Sequence, residues 1–227
     1  MLCATLAISL VNALVPKAMA QRAFEGVIVS KNITTDERGT PQQFTMTMHV
    51  KSDMVKIQNS PMGTSPGSTL IYRGDKKLVW MLNEEDSSYF EISQQEKSAE
   101  VYSSSSLQGK PPAVRLTGRK SDILGYKCDQ ILVRGDNIET EIWATKSLGN
   151  LFATISKVLA GEVSASGAGW ESTILKMGYY PIKASTKVEG KVLESQEVTK
   201  IEKNALTRDV FELPAGYKKQ SNVDFIK

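Results

Sequence analysis

From Phe24 onward, apolar residues fall at every second position in short runs, the signature of strands with one face turned inward. Phe44, Met46, Met48 and Val50 form one such face, with Thr45, Thr47, His49 and Lys51 opposite. Ile182, Ala184, Thr186 and Val188 alternate with Lys183, Ser185 and Lys187 in the same way. Ile138, Thr140 and Ile142 alternate with Glu139 and Glu141, while Val192 to Glu202 is long and mostly polar. Lys77 to Leu82 is different, with Leu78, Trp80 and Leu82 on one face and Val79 and Met81 on the other; Thr69 to Tyr72 is apolar on both faces too.

The breaks between runs carry turn chemistry. Gly74-Asp75 separates Thr69–Arg73 from Lys77–Leu82, and Gly135-Asp136-Asn137 separates Gln130–Arg134 from Ile138–Trp143. Gly and Asx tolerate the positive φ of tight turns, so both read as antiparallel hairpins. Glu84-Glu85-Asp86 and Glu189-Gly190-Lys191 read as connections of the same kind. About eleven strands follow, nearly all joined by links too short for parallel crossovers, so the fold class is mainly β: one large antiparallel sheet. Two stretches depart from this. Leu148, Leu151, Phe152, Ile155, Val158 and Leu159 have helical spacing, which predicts an amphipathic helix over Ser147–Ala160 that stops at Gly161. A weaker helix is predicted from Ser93, with Glu96 completing a capping box. Residues 60–67 and 161–169 read as mobile loops, and no internal repeat is visible.

The N-terminus does not belong to this pattern. Leu2–Val15 is almost wholly apolar and is followed by Pro16 and Ala18-Met19-Ala20, the layout of a secretory signal with a small-x-small cleavage site. The run is shorter than the roughly 20 residues of a membrane-spanning helix, and no later stretch replaces it. Residues 1–20 are therefore expected to be removed after Ala20, leaving residues 21–227 as a single domain, periplasmic or secreted. Cys3 would leave with the signal. Cys128 would remain without a partner, in an apolar pattern continued by Ile131 and Val133, and reads as a buried small hydrophobe.

Composition narrows the function classes. The 227 residues are 41% hydrophobic and 23% charged with a net charge of only +3, which gives no reason to expect nucleic acid as a partner. His49 is the one histidine and sits on the polar side of a strand, so a nucleophile–base arrangement has no obvious base. One His and one Cys cannot build a zinc site. The densest carboxylates, Glu84-Glu85-Asp86 and Glu139 with Glu141, lie in a turn and on a polar face, where solvated charge is the plain reading. The glycines fall singly in turns, so no phosphate-cradling loop is present. Arg134-Gly135-Asp136 is explained by its hairpin. No catalytic residue, metal or cofactor is expected, and the chain is not read as an enzyme.

Four short segments carry a resemblance: Phe24-Glu25-Gly26, Ile123-Leu124-Gly125-Tyr126-Lys127-Cys128, Gly178-Tyr179-Tyr180-Pro181-Ile182-Lys183, and Val210-Phe211-Glu212-Leu213-Pro214-Ala215-Gly216-Tyr217. With the strand count and the late helix, the chain resembles the periplasmic lipoprotein carriers typified by LolA and LolB, and more closely an uncharacterised bacterial periplasmic family with that fold. The resemblance implies an unclosed β-barrel with helices on its concave side and an apolar cavity that shelters acyl chains. The two-faced strands, the neighbouring methionines and this resemblance together nominate Met46, Met48, Met54, Trp80, Leu151, Phe152 and Ile155 as cavity lining. The expected partner is a lipid, an acylated protein or another apolar ligand. The competing expectation is a domain of the same fold that recognises another envelope protein.

Overall fold

The computed structural model describes residues 23–36, 38–93, 112–135, 137–149, 151, 154, 155, 174 and 177–220. Six strands lead the chain: β1 (Gly26–Thr35), β2 (Pro41–Lys51), β3 (Met54–Asn59), β4 (Ser68–Arg73), β5 (Leu78–Asn83) and β6 (Ser88–Ser93). Five follow, β7 (Ala113–Ile123), β8 (Tyr126–Arg134), β9 (Ile138–Thr145), β10 (Tyr180–Val188) and β11 (Lys191–Lys203), and then a short 3-10 turn (Arg208–Phe211) and β12 (Lys218–Lys219). They make one open, curved sheet in the order β12-β6-β5-β4-β3-β2-β1-β11-β10-β9-β8-β7.

The order is two antiparallel meanders, β1–β6 and β7–β11, joined side by side where β1 pairs with β11. Local chemistry sets the hairpins. Leu124-Gly125 and Glu189-Gly190 have φ values of 52° and 77°, and of 50° and 82°. They link Ile123 to its partner Tyr126 and Val188 to its partner Lys191, the two-residue turns whose twist suits antiparallel strands. The sheet is antiparallel as the alternation predicts, with one exception. The twelfth strand is two lysines long and pairs in parallel with β6, too short to leave a periodic signal.

Three apolar clusters hold the sheet. The largest includes Ile28, Met48, Val50, Val55, Ile57, Tyr72 and Val79, and takes in Leu148, Leu151 and Ile155. Leu151, Thr154 and Ile155 are helical, as the 3.6-residue spacing predicts, and Leu151 and Ile155 are buried against the sheet. A second cluster gathers Ile131, Val133, Ile142, Ala144 and Ala184 with helical Ile174 and with Tyr179, the residue before β10. The third lies on the other face of β3–β5, where Met54, Ile71, Trp80 and Leu82 surround Phe211. Ser93 closes β6; the helix predicted to begin there, the signal segment, Phe152 and the loop at 161–169 lie outside the described residues. The loop at 60–67 carries a bridge between Met62 and Ser65. Among the described residues no helix is long and apolar enough to cross a membrane.

Candidate functional site

In an antiparallel sheet, residues directly opposite each other share a face. Following the register from β11 to β6, one row reads Ile201, Ile28, Met48, Ile57, Leu70, Met81 and Phe90. Every member is apolar across seven strands, a breadth of roughly 29 Å at about 4.8 Å per strand. The next row on that face, Val50, Val55, Tyr72, Val79 and Ile92, is apolar as well. At the centre Met48 is buried, whereas Met46, Leu70, Met81, Ile123, Tyr126, Trp143 and Ile201 are only partly buried around it. The apolar face therefore has an accessible margin.

Along β1 the same face changes character within six residues, from Ile28 through Ser30 and Asn32 to Thr34. Asn32 stands between Phe44 and Gln196, and Thr34 between Gln42 and Glu194. Gln196 and Glu194 in turn face Ala184 and Thr186. Around these residues is an open groove of about 320 Å³ lined by Asn32, Ile33, Thr34, Phe44, Ala184, Thr186, Glu194, Ser195 and Gln196. Asn32 donates through Nδ2 to Ser30 Oγ at 3.1 Å, and the Thr186 and Thr140 hydroxyls are 3.1 Å apart.

The nominated lining residues separate into two groups. Met46, Met48, Leu151 and Ile155 come together on the apolar face. Met54 and Trp80 do not: they lie on the opposite face, so the expectation that Trp80 borders the same cavity as Met46, Met48 and the helix is corrected. The cause is parity. Val50 pairs with Val55 across the two-residue turn, so Met54 falls opposite Lys51, and Trp80 follows Val79 by one position. Sequence reasoning misses the groove residues, since Asn32, Phe44, Glu194 and Ala184 meet only through the pairing of β1 with β11; the same-face alternation of Phe44 with Met46 is the one local signal.

Residues 24–217 match the family described as Domain of unknown function (DUF4412). The chain belongs to that family. No curated protein matches it in sequence. Among solved structures it is similar to an uncharacterized conserved protein from Thermus thermophilus, at 12% identity and a TM-score of 0.49, covering 86% of this chain and 90% of that one. It is similar to PNGF-II at 14% identity and a TM-score of 0.34, covering 89% of this chain and 32% of that one. It is also similar to a putative outer membrane lipoprotein-sorting protein domain from Vibrio parahaemolyticus, at 9% identity and a TM-score of 0.33, covering 83% of this chain and 89% of that one. At TM-scores below 0.5 none of these likenesses bears on function.

The second apolar face of this DUF4412 member is closed by its own C-terminal strap, residues 206–220. Phe211 is fully buried, and Leu206, Val210, Leu213 and Tyr217 pack around it. Arg73, 1% exposed, grips Asp75 with Nε and Nη2 at 2.8 and 2.9 Å, pairs with Glu212 at 2.6 Å and donates to the Phe211 carbonyl at 3.3 Å. Those hydrogen bonds hold the Asp75 carboxyl down to about 2, and hold the guanidinium firmly charged. Lys51 bonds Glu25 and the Leu206 carbonyl, each at 2.7 Å. Lys218 and Gln220 extend the edge by donating backbone N–H groups to Ser87 and Tyr89.

Asp129, Tyr179 and Cys128 have structural partners, whereas the buried Nδ1 of His49 has none among the described residues. Asp129 accepts from Lys120 and from the Tyr179 hydroxyl, which keeps it ionised; burial, with Asp129 beside it, pushes Tyr179 up to about 12. Burial raises the Cys128 thiol, which is enclosed in the largest cluster. His49 lies between Val27 and Lys56, its pKa lowered by burial and by Lys56. Among the described residues no group of three or more His, Cys, Asp or Glu could hold a metal ion.

Proposed function

We propose that the protein is a periplasmic, non-enzymatic binding protein that shelters the acyl part of a lipid or acylated protein on the concave apolar face of its sheet. The observation that carries this reading is the unbroken row from Ile201 to Phe90, with methionines at two positions and an open margin at Leu70 and Met81. Leu70 and Met81 stay partly exposed at the edge of the cluster that also takes in Leu151 and Ile155. Unbranched thioethers adapt to flexible chains of varied shape. On β3–β5 the opposite face is occupied by the strap, so the partly exposed Leu70 and Met81 lie on the other side of those strands. The signal-like layout of residues 2–20 supports a location between membranes, where exposed acyl chains need cover.

The experiment is native mass spectrometry of protein isolated from a bacterial periplasm, followed by solvent extraction and lipid analysis. A bound acyl species near one per chain is expected. A protein that is empty on isolation and stays empty after incubation with phospholipid vesicles and acylated peptides overturns the proposal. The rival reading, recognition of another envelope protein at a sheet edge, has one observation in its favour. The outer strand β7 runs eleven residues at the end of the sheet with Leu116 exposed.

A further inference from the structure

The groove at the end of the apolar face has a chemistry that the apolar row lacks. Its lining contains one ionised group, Glu194, and no cation. The neighbouring carboxylates of the same strand are neutralised: Glu197 pairs with Lys183 at 3.4 Å and Glu202 with Lys200 at 2.8 Å. Glu194 is exposed to solvent and has no ion pair among the described residues, and it stands between Thr34 and Thr186 on the face that carries the apolar row. Around it are acceptors. Asn32 directs its N–H group to Ser30, which leaves its carbonyl oxygen to meet a ligand, and Gln196, Thr34 and Thr186 add amide and hydroxyl oxygens. Below them Phe44 and Ala184 are apolar, and one step further along the face are Met46 and Val198. A carboxylate amid neutral acceptors, above an apolar slope, complements a group that carries positive charge and several N–H donors on an apolar tail.

We propose that this groove is a headgroup site for amphiphiles bearing a primary ammonium group, with Glu194 as the counter-charge, Asn32, Gln196 and the threonines as acceptors, and Phe44 under the first part of the tail. The assignment rests on the acyl-binding reading of the same face and adds a selectivity to it: cationic heads are taken and anionic heads are turned away.

The test compares n-decylammonium with n-decanoate, equal in chain length and opposite in charge, by titration calorimetry at low ionic strength below their aggregation limits. Binding of the ammonium is expected to be about three- to thirtyfold tighter, the range two exposed charge interactions supply. Glu194→Gln should bring the ratio close to one. Glu197→Gln removes the same charge from the opposite face and should leave the ratio unchanged, which separates a local contact from net charge. A ratio near one in the unaltered protein, or a ratio that survives Glu194→Gln, overturns the headgroup site while leaving acyl binding intact. Failure of both amphiphiles to bind overturns the acyl-binding reading together with it.

Discussion

Replacing Phe211 by alanine tests whether the C-terminal strap is part of the fold's core or a loose appendage. Phe211 is fully buried among Met54, Ile71, Trp80 and Leu82, and these contacts span three strands from a single side chain. Truncation of a fully buried phenylalanine costs about 3–5 kcal/mol, a transfer loss plus the cavity left behind. Total stabilities are about 5–15 kcal/mol, so the substitution should remove about a fifth or more. For a domain of this size each kcal/mol lowers Tm by about 2–4 °C, giving a fall of roughly 6–20 °C. Urea denaturation followed by tryptophan fluorescence, with Trp143 and Trp170 replaced by phenylalanine so that Trp80 alone reports, reads both the loss and its location, because Trp80 lies beside the deleted ring. The buried Arg73 ties the strap's backbone to β4, so the strap and the sheet should unfold together in one transition. A loss under about 1 kcal/mol, or an early Trp80 transition well ahead of the far-ultraviolet signal, would refute the strap as an integral layer.

The other expectations are direct. Asp75 has a folded pKa of about 2 against an ordinary value of 3.8, so its stabilisation is full above pH 4 and is lost as the pH falls towards 2; Asp75→Asn should flatten the decline of the urea midpoint in that window, and an equal slope in both proteins would contradict it. Gly26 has φ +149° and a Cβ there would lie 1.9 Å from the Glu202 carbonyl oxygen, so Gly26→Ala should cost about 2 kcal/mol or more by splaying β1 from β11, with a change below about 0.5 kcal/mol, the noise of a surface substitution, counting against it. A chain starting at Gln21 should show no reaction of Cys128 with a thiol reagent until denaturant is added, since the thiol is 1% exposed; rapid native labelling would contradict its placement. Met81→Gln puts an amide on the accessible margin and should weaken acyl-ligand binding about fivefold or more without unfolding the protein, and unchanged affinity would move the ligand elsewhere.

The strands and their hairpins are legible in the sequence because each depends on chain neighbours: alternation at Phe44–Val50 and Ile182–Val188, and turn residues at Gly74-Asp75 and Glu189-Gly190. The inward side of the helix is legible for the same reason, in the spacing of Leu151 and Ile155. What covers each face is not. Leu78–Asn83 displays two apolar faces, and alternation cannot say that Phe211, far along the chain, seals the one bearing Trp80. Met54 can be separated from Met46 and Met48 by counting positions across the turn between Lys51 and Met54. The groove is hidden more deeply, since Asn32 and Glu194 become neighbours only once two distant strands pair.

That pairing also bears on how the sheet comes into being. Within each meander most neighbouring strands are a few residues apart and such hairpins close in microseconds, the exception being β9 and β10, which pair across residues 146–179. The junction is of another kind: Val29 finds Lys200 only after nearly the whole chain is available. Long-range closures of this sort dominate folding times in β proteins, because the entropy of the loop is lost before the contacts repay it. The two halves should therefore form early and separately, each with Ile28 or Val198 exposed along an unfinished rim, and the slow step should be their joining. During that interval the rims of β1 and β11 are open templates for other chains, so yield on refolding should fall with protein concentration while the rate of the final step stays the same.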